Sequence, residues 1–102
     1  MDVHSIAGAL VEEISDTVDR HIHPRTGQLM PPRLHARYGV PNLKIGEQVI
    51  DRVDELLEVA AENWRLDRAP EVYLDLCQEG QGWVVEWVID TVVPAAGEEE
   101  GP

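Results

Sequence analysis

Near the start of the chain, apolar side chains return every three or four positions: Val3, Ile6, Ala7, Leu10, Val11, Ile14 and Val18. On a helical wheel they share one arc, and Asp2, Glu12, Glu13, Asp16 and Asp19 fall on the opposite one. That is the pattern of an amphipathic helix with one buried face. The spacing predicts a helix from Asp2 to about Arg20. Asp2 is its expected cap, where an acid suits the positive end of the helix dipole. Pro24 closes the segment, because proline disfavours helical backbone in the residue before it. A second helix is predicted from about Lys44 to Trp64. Ile45, Val49, Val53, Leu56, Leu57, Ala60 and Trp64 form its apolar arc, and Glu47, Asp51, Asp54, Glu55, Glu58 and Glu62 face away. Asn42, directly after Pro41, is the expected cap.

Residues 21–43 break the helical period. Four prolines and two glycines rule out a long helix there. Leu34, Ala36, Tyr38 and Val40 alternate with His35, Arg37 and Gly39, which permits a short strand. Further on, Val72, Leu74 and Leu76 alternate with Glu71, Tyr73, Asp75 and Cys77. A turn at Gln78-Glu79-Gly80-Gln81-Gly82 follows, and then Trp83, Val85, Trp87 and Ile89 alternate with Val84, Glu86, Val88 and Asp90. The β-branched and aromatic content favours a hairpin. A helical pair is the rival, since Val84, Val85, Val88, Ile89 and Val92 also fit helical spacing and Pro70 suits a first turn. The expected fold is α+β, with two helices on one face of a C-terminal hairpin; the alternative is all-α with four helices. One domain is expected over 1–94, with a disordered acidic tail at 95–102.

A chain of 102 residues has room for one core and buries roughly 65% of the surface its unfolded form exposes. Charge changes the picture more than size does. Twenty acidic residues against eight basic ones make a net charge of −12. Such a chain is repelled by nucleic acid and anionic membranes, which argues against either as a direct partner. Basic proteins and cations attract it. A proteome-wide acidic bias accounts for the same number without any specific function. Lys44 is the sole lysine, and four of the eight basic residues (Arg20, Arg25, Arg33 and Arg37) lie in or beside the 21–43 connection. Cys77 is the sole cysteine, so no internal disulfide forms. No stretch approaches the roughly 20 apolar residues of a membrane span, and the N-terminus does not read as a signal peptide. A cytoplasmic location is the expectation.

The acidic arcs are the first candidate site: Glu12, Asp16 and Asp19 on one helix, and Glu47, Asp51, Asp54, Glu58 and Glu62 on the other. Carboxylates on successive turns stand about 5–6 Å apart and could imitate a phosphate track. A merely solvated helix more often mixes signs. Arg33, Arg37, Tyr38, Trp83 and Trp87 are candidate contact residues, since exposed tryptophan commonly anchors interfaces. A two-stranded hairpin also leaves open edges, and pairing between two copies would bury Val88 and Val92 in a homodimer. His21 and His23 are weak metal candidates, as alternate residues of an extended segment point the same way. His35, His4 or Asp19 would complete their shell. Cys77 has no base beside it, and Asp75 and Glu79 oppose a thiolate. No nucleophile elbow, phosphate loop or dinucleotide fingerprint occurs.

The expected function is a non-enzymatic interaction module without a cofactor, an inhibitor or adaptor that docks on a basic partner such as a nucleic-acid-binding protein. An accessory protein of a phage or mobile element fits that description. A small assembly subunit of a virion or compartment, held by sheet edge and Trp contacts, is a second class. A Mg-dependent helical nucleotide hydrolase is a third. It requires acids such as Glu12, Glu13, Glu55, Glu58 and Glu62 to converge in a cleft.

Overall fold

Both helical stretches are helices. Helix α1 spans Val3–Arg20 and α2 spans Leu43–Ala60, extended by a single 3-10 turn at Ala61–Asn63. The computed structural model describes residues 2–91. Asn42 caps α2 as expected, its Oδ1 accepting from the Ile45 N–H at 2.8 Å. Asp2 stands at the cap position of α1, but its side chain makes no capping bond. His21 ends α1 instead, its Nδ1–H donating to the Thr17 carbonyl at 2.7 Å. That bond satisfies one of the carbonyls left open at a helix C-terminus.

Three strands complete the chain: β1 at Arg33–Val40, β2 at Glu71–Glu79 and β3 at Gly82–Asp90. They form one antiparallel sheet in the order β1-β3-β2. The fold is therefore α+β, and the four-helix alternative is set aside. The hairpin β2–β3 turns through Gly80 and Gln81. Gly80 has φ 62°, the left-handed backbone that a II′ turn requires of its first central residue. The connection at 21–43 is more structured than a loop. Ile22 bridges to Leu29, and the alternating segment after Pro32 is β1. It pairs with β3 along its whole length, from Arg33↔Asp90 to Val40↔Trp83. Thr91 fastens that pairing, its N–H and Oγ1–H both donating to the Pro32 carbonyl at 2.9 and 2.8 Å. The edge of β3 that the hairpin reading offered to a second copy is thus taken by β1. Val88 lies between His35 and Tyr73 in the middle of the sheet. Val92 and the tail at 95–102 lie outside the described residues.

Both helices cover one face of the sheet. Ile6, Leu10, Ile14 and Val18 of α1 and Val49, Val53 and Leu57 of α2 are buried against Leu34, Val40, Val85, Trp87 and Ile89. Each such side chain contributes about 1.5–3 kcal/mol by leaving water. Gly46 brings the first turn of α2 close to the sheet. A Cβ there would lie 2.6 Å from Leu76 Cδ1 and 3.2 Å from Val40 Cγ2. Trp87 is 1% exposed, and its indole N–H is buried without a hydrogen-bond partner. Among the described residues no helix is long and apolar enough to cross a membrane.

Candidate functional site

The sheet takes up the inner faces of both helices, so their acidic arcs form the outer surface of the helix layer. Glu12, Asp16, Asp19, Glu47, Asp51, Asp54, Glu58 and Glu62 are all exposed. Among the described residues no charged residue belongs to the buried set. Few cations interrupt this surface: Lys44 and Arg52 on α2 and Arg20 at the end of α1. The Arg52 Nη1 lies 3.4 Å from Glu55. Among the described residues, the acids of the two helices do not gather around a common ion position. One trio does, and it lies on the sheet: Asp75, Cys77 and Glu86, with ligand atoms within 4.8 Å of one another.

The outer face of the sheet carries both signs. Arg37 of β1 bridges to Glu79 of β2 and, at 3.2 Å, to Glu86 of β3. Those two carboxylates hold its guanidinium above its ordinary value, the bond to Glu86 contributing most. Arg33 lies 4.0 Å from Asp90. Glu86, the residue that completes the trio, is therefore already engaged by a cation. Desolvation, reinforced by the charge of Asp75, pushes the Cys77 thiol up, and its S–H points at Asp75 Oδ2 across 3.8 Å. Both effects disfavour the thiolate, the form that acts as nucleophile or metal ligand. Tyr73 is 51% exposed, and its O–H donates to Glu71 at 2.7 Å. This bond keeps the phenol protonated above its ordinary range.

Several residues expected at contacts have other duties. Trp87 is a core residue, because its strand position points at the helices. Tyr38 and Trp83 lie on that same inward face, half-buried against the core. Arg33 and Arg37 do not form a basic loop: they are strand residues paired with acids of the sheet. His21 is used by the end of α1. His23 accepts from the N–H groups of Arg25 and Thr26 at 3.1 and 3.4 Å, closing the tight turn after Pro24. Both Nδ1 atoms are committed to local backbone.

A groove that sequence reasoning did not anticipate runs between α2 and the outer edge of β2. Its volume is about 580 Å³, and Leu43, Glu47, Ile50 and Asp51 of α2 face Leu74, Asp75 and Leu76 of β2 across it. Leu43 is 42% exposed. The groove lining holds three carboxylates and no cation. The turn closing on Glu79 and Gly82 sets the hydrogen-bond phase of the hairpin. In that phase the main-chain groups of Val72, Leu74, Leu76 and Gln78 point away from β3. The Leu76 N–H donates to the Asp75 Oδ1 at 3.0 Å rather than to a strand. The sequence signal was the alternation of β2; that its edge stays open beside α2 required the sheet order. A smaller cleft of about 270 Å³ lies among Gln28, Met30, Pro32, Arg68 and Thr91.

No family model, no curated protein and no solved structure matches this chain.

Proposed function

We propose that the protein is a non-enzymatic acidic docking module for a basic protein partner, acting as an inhibitor or adaptor. One observation carries the reading: the charged positions on the outer surface of the helix layer are mostly acidic, while Arg33 and Arg37 of the sheet stand beside acids on the opposite face. Charge of one sign on one side makes a directional field. Such a field raises association rates from about 10⁵–10⁶ M⁻¹s⁻¹ towards 10⁸–10⁹ M⁻¹s⁻¹ at low salt. A partner whose basic surface otherwise grips nucleic acid is the natural target, since rows of carboxylates compete for the same cations.

The test is capture from cell lysate at about 0.05 M and about 0.5 M salt, where screening differs several-fold in range. A variant with Glu47→Gln, Asp51→Asn, Asp54→Asn and Glu58→Gln serves as control. Basic proteins should be retained by the wild type at low salt and released at high salt, and the variant should retain far less. Retention indifferent to salt, or undiminished in the variant, would overturn the reading.

A structural subunit is the second reading, and the open outer edges of β1 and β2 favour it. A defined large assembly of the protein alone, seen by light scattering, would replace the first reading with this one.

A further inference from the structure

We infer that the open edge of β2, together with the groove beside α2, binds an extended basic segment of the partner as a fourth strand of the sheet. The inference rests on the docking reading above and specifies where and how the partner engages. An edge strand presents a row of main-chain donors and acceptors that a second chain can pair with. Here the Leu74 and Leu76 positions point that row outward, and among the described residues the Asp75 carboxylate bonds to it at the Leu76 N–H. The groove supplies what main-chain pairing lacks, namely selectivity. Side chains of an added strand alternate between two environments. Those on the inner face meet Leu43, Ile50, Leu74 and Leu76, and suit apolar residues or the stems of long cations. Those on the outer face stand beside Glu71 and Asp75, and suit arginine or lysine.

Charge decides between occupants. A second copy pairing β2 with β2 antiparallel about Asp75 would set Asp75 against its counterpart and Glu71 against Glu79, and like charges on paired strands repel. Glu47 and Asp51 add to the same field from the helix side. A nucleic acid or an anionic membrane is excluded by the same sign. A basic extended segment satisfies the edge, the apolar floor and the carboxylates together.

The experiment uses a blocked peptide of alternating arginine and valine, roughly seven residues long, the usual length of a strand. Amide spectra of the labelled protein locate it, and titrations at two salt concentrations give its affinity. Shifts at Val72–Gln78, with slowed exchange of the Leu74 and Leu76 N–H groups, are the expected result. Methylating alternate peptide nitrogens removes the pairing without touching the protein, and binding should be lost. Reversal of two exposed groove charges, Glu47→Lys with Asp51→Lys, should weaken binding by about tenfold or more, since like-charge juxtaposition is costly. Equal binding of the methylated peptide overturns the added strand. Shifts confined to Glu12, Asp16 and Asp19 overturn the groove and leave the acidic docking reading standing. Absence of any salt-sensitive binding overturns both. A dimer already occupying the β2 edge in the free protein overturns the basic occupant.

Discussion

The helix layer and the sheet layer each need one greasy face and one wet face, and they meet the second need in opposite ways. On the sheet, the wet face is stitched across strands: Arg37 joins β1 to β2 and β3, and Arg33 sits by Asp90. On the helices most of the charged positions of the wet face are carboxylates, and their rows repel themselves. Glu47 and Asp51, Asp54 and Glu58, and Glu12 and Asp16 each stand four residues apart, a spacing at which like charges destabilise a helix by about 0.2–0.5 kcal/mol per pair. Cross-strand ion pairs help to hold register, so the sheet gains stability from mixing signs. The helices take that gain only at Arg52–Glu55 among the described residues, and a surface that gives up stability for a field mostly of one sign is what a docking role requires.

The inner faces, by contrast, should behave alike, and truncation tests this with the largest effect. Ile14 of α1 and Ile89 of β3 are both fully buried in one core. Ile14→Ala and Ile89→Ala should each cost about 2–5 kcal/mol in denaturant unfolding. A cheap Ile14→Ala beside a costly Ile89→Ala would mean that the helix layer is only loosely attached. The seam between the layers comes next. Gly46→Val places a branched side chain against the Leu76 and Val40 side chains, whose tips must shift, and overpacking of this kind costs about 1–3 kcal/mol.

The outer faces should then respond with opposite signs. Asp51→Lys puts a cation between Glu47 and Glu55 and should raise the stability of the helix layer by about 0.5 kcal/mol at low salt, fading as salt is added. Glu86→Lys on the sheet sets a second cation beside Arg37 and should lower stability. Equal signs in thermal melts of the two variants would erase the contrast. The smallest effect concerns Cys77. Its thiol is raised, so the native state favours the protonated form. Any stability from that preference is present below the ordinary thiol range and is lost as pH rises through the raised value. Alkylation near pH 8.5, the ordinary thiol midpoint, should be slower in the folded than in the unfolded protein. Equal rates would show that the sheet does not shield this position.

Much of this architecture was legible in the residues. The arcs of α1 and α2 depend on a period that the chain carries locally, so their existence and their acidic outer faces could be read directly, although α2 ends at Ala60 and not near Trp64. The alternation at 34–40, 71–77 and 83–90 was equally visible. Its consequences were not, because a strand does not name its neighbour. Trp87 looked like a contact residue and is core, while Arg33 and Arg37 looked like a free basic loop and are ion-paired.

Which segments curl, which extend, and that carboxylates line the helices all follow from repeats of two or about 3.6 residues along the chain. Long-range packing set the rest: β1 crosses to β3, β2 is left as an open edge, and Gly46 lets α2 approach it to make a groove. Those outcomes join residues some tens of positions apart. They are settled by which apolar faces can be covered together, a balance over the whole core that no local pattern contains.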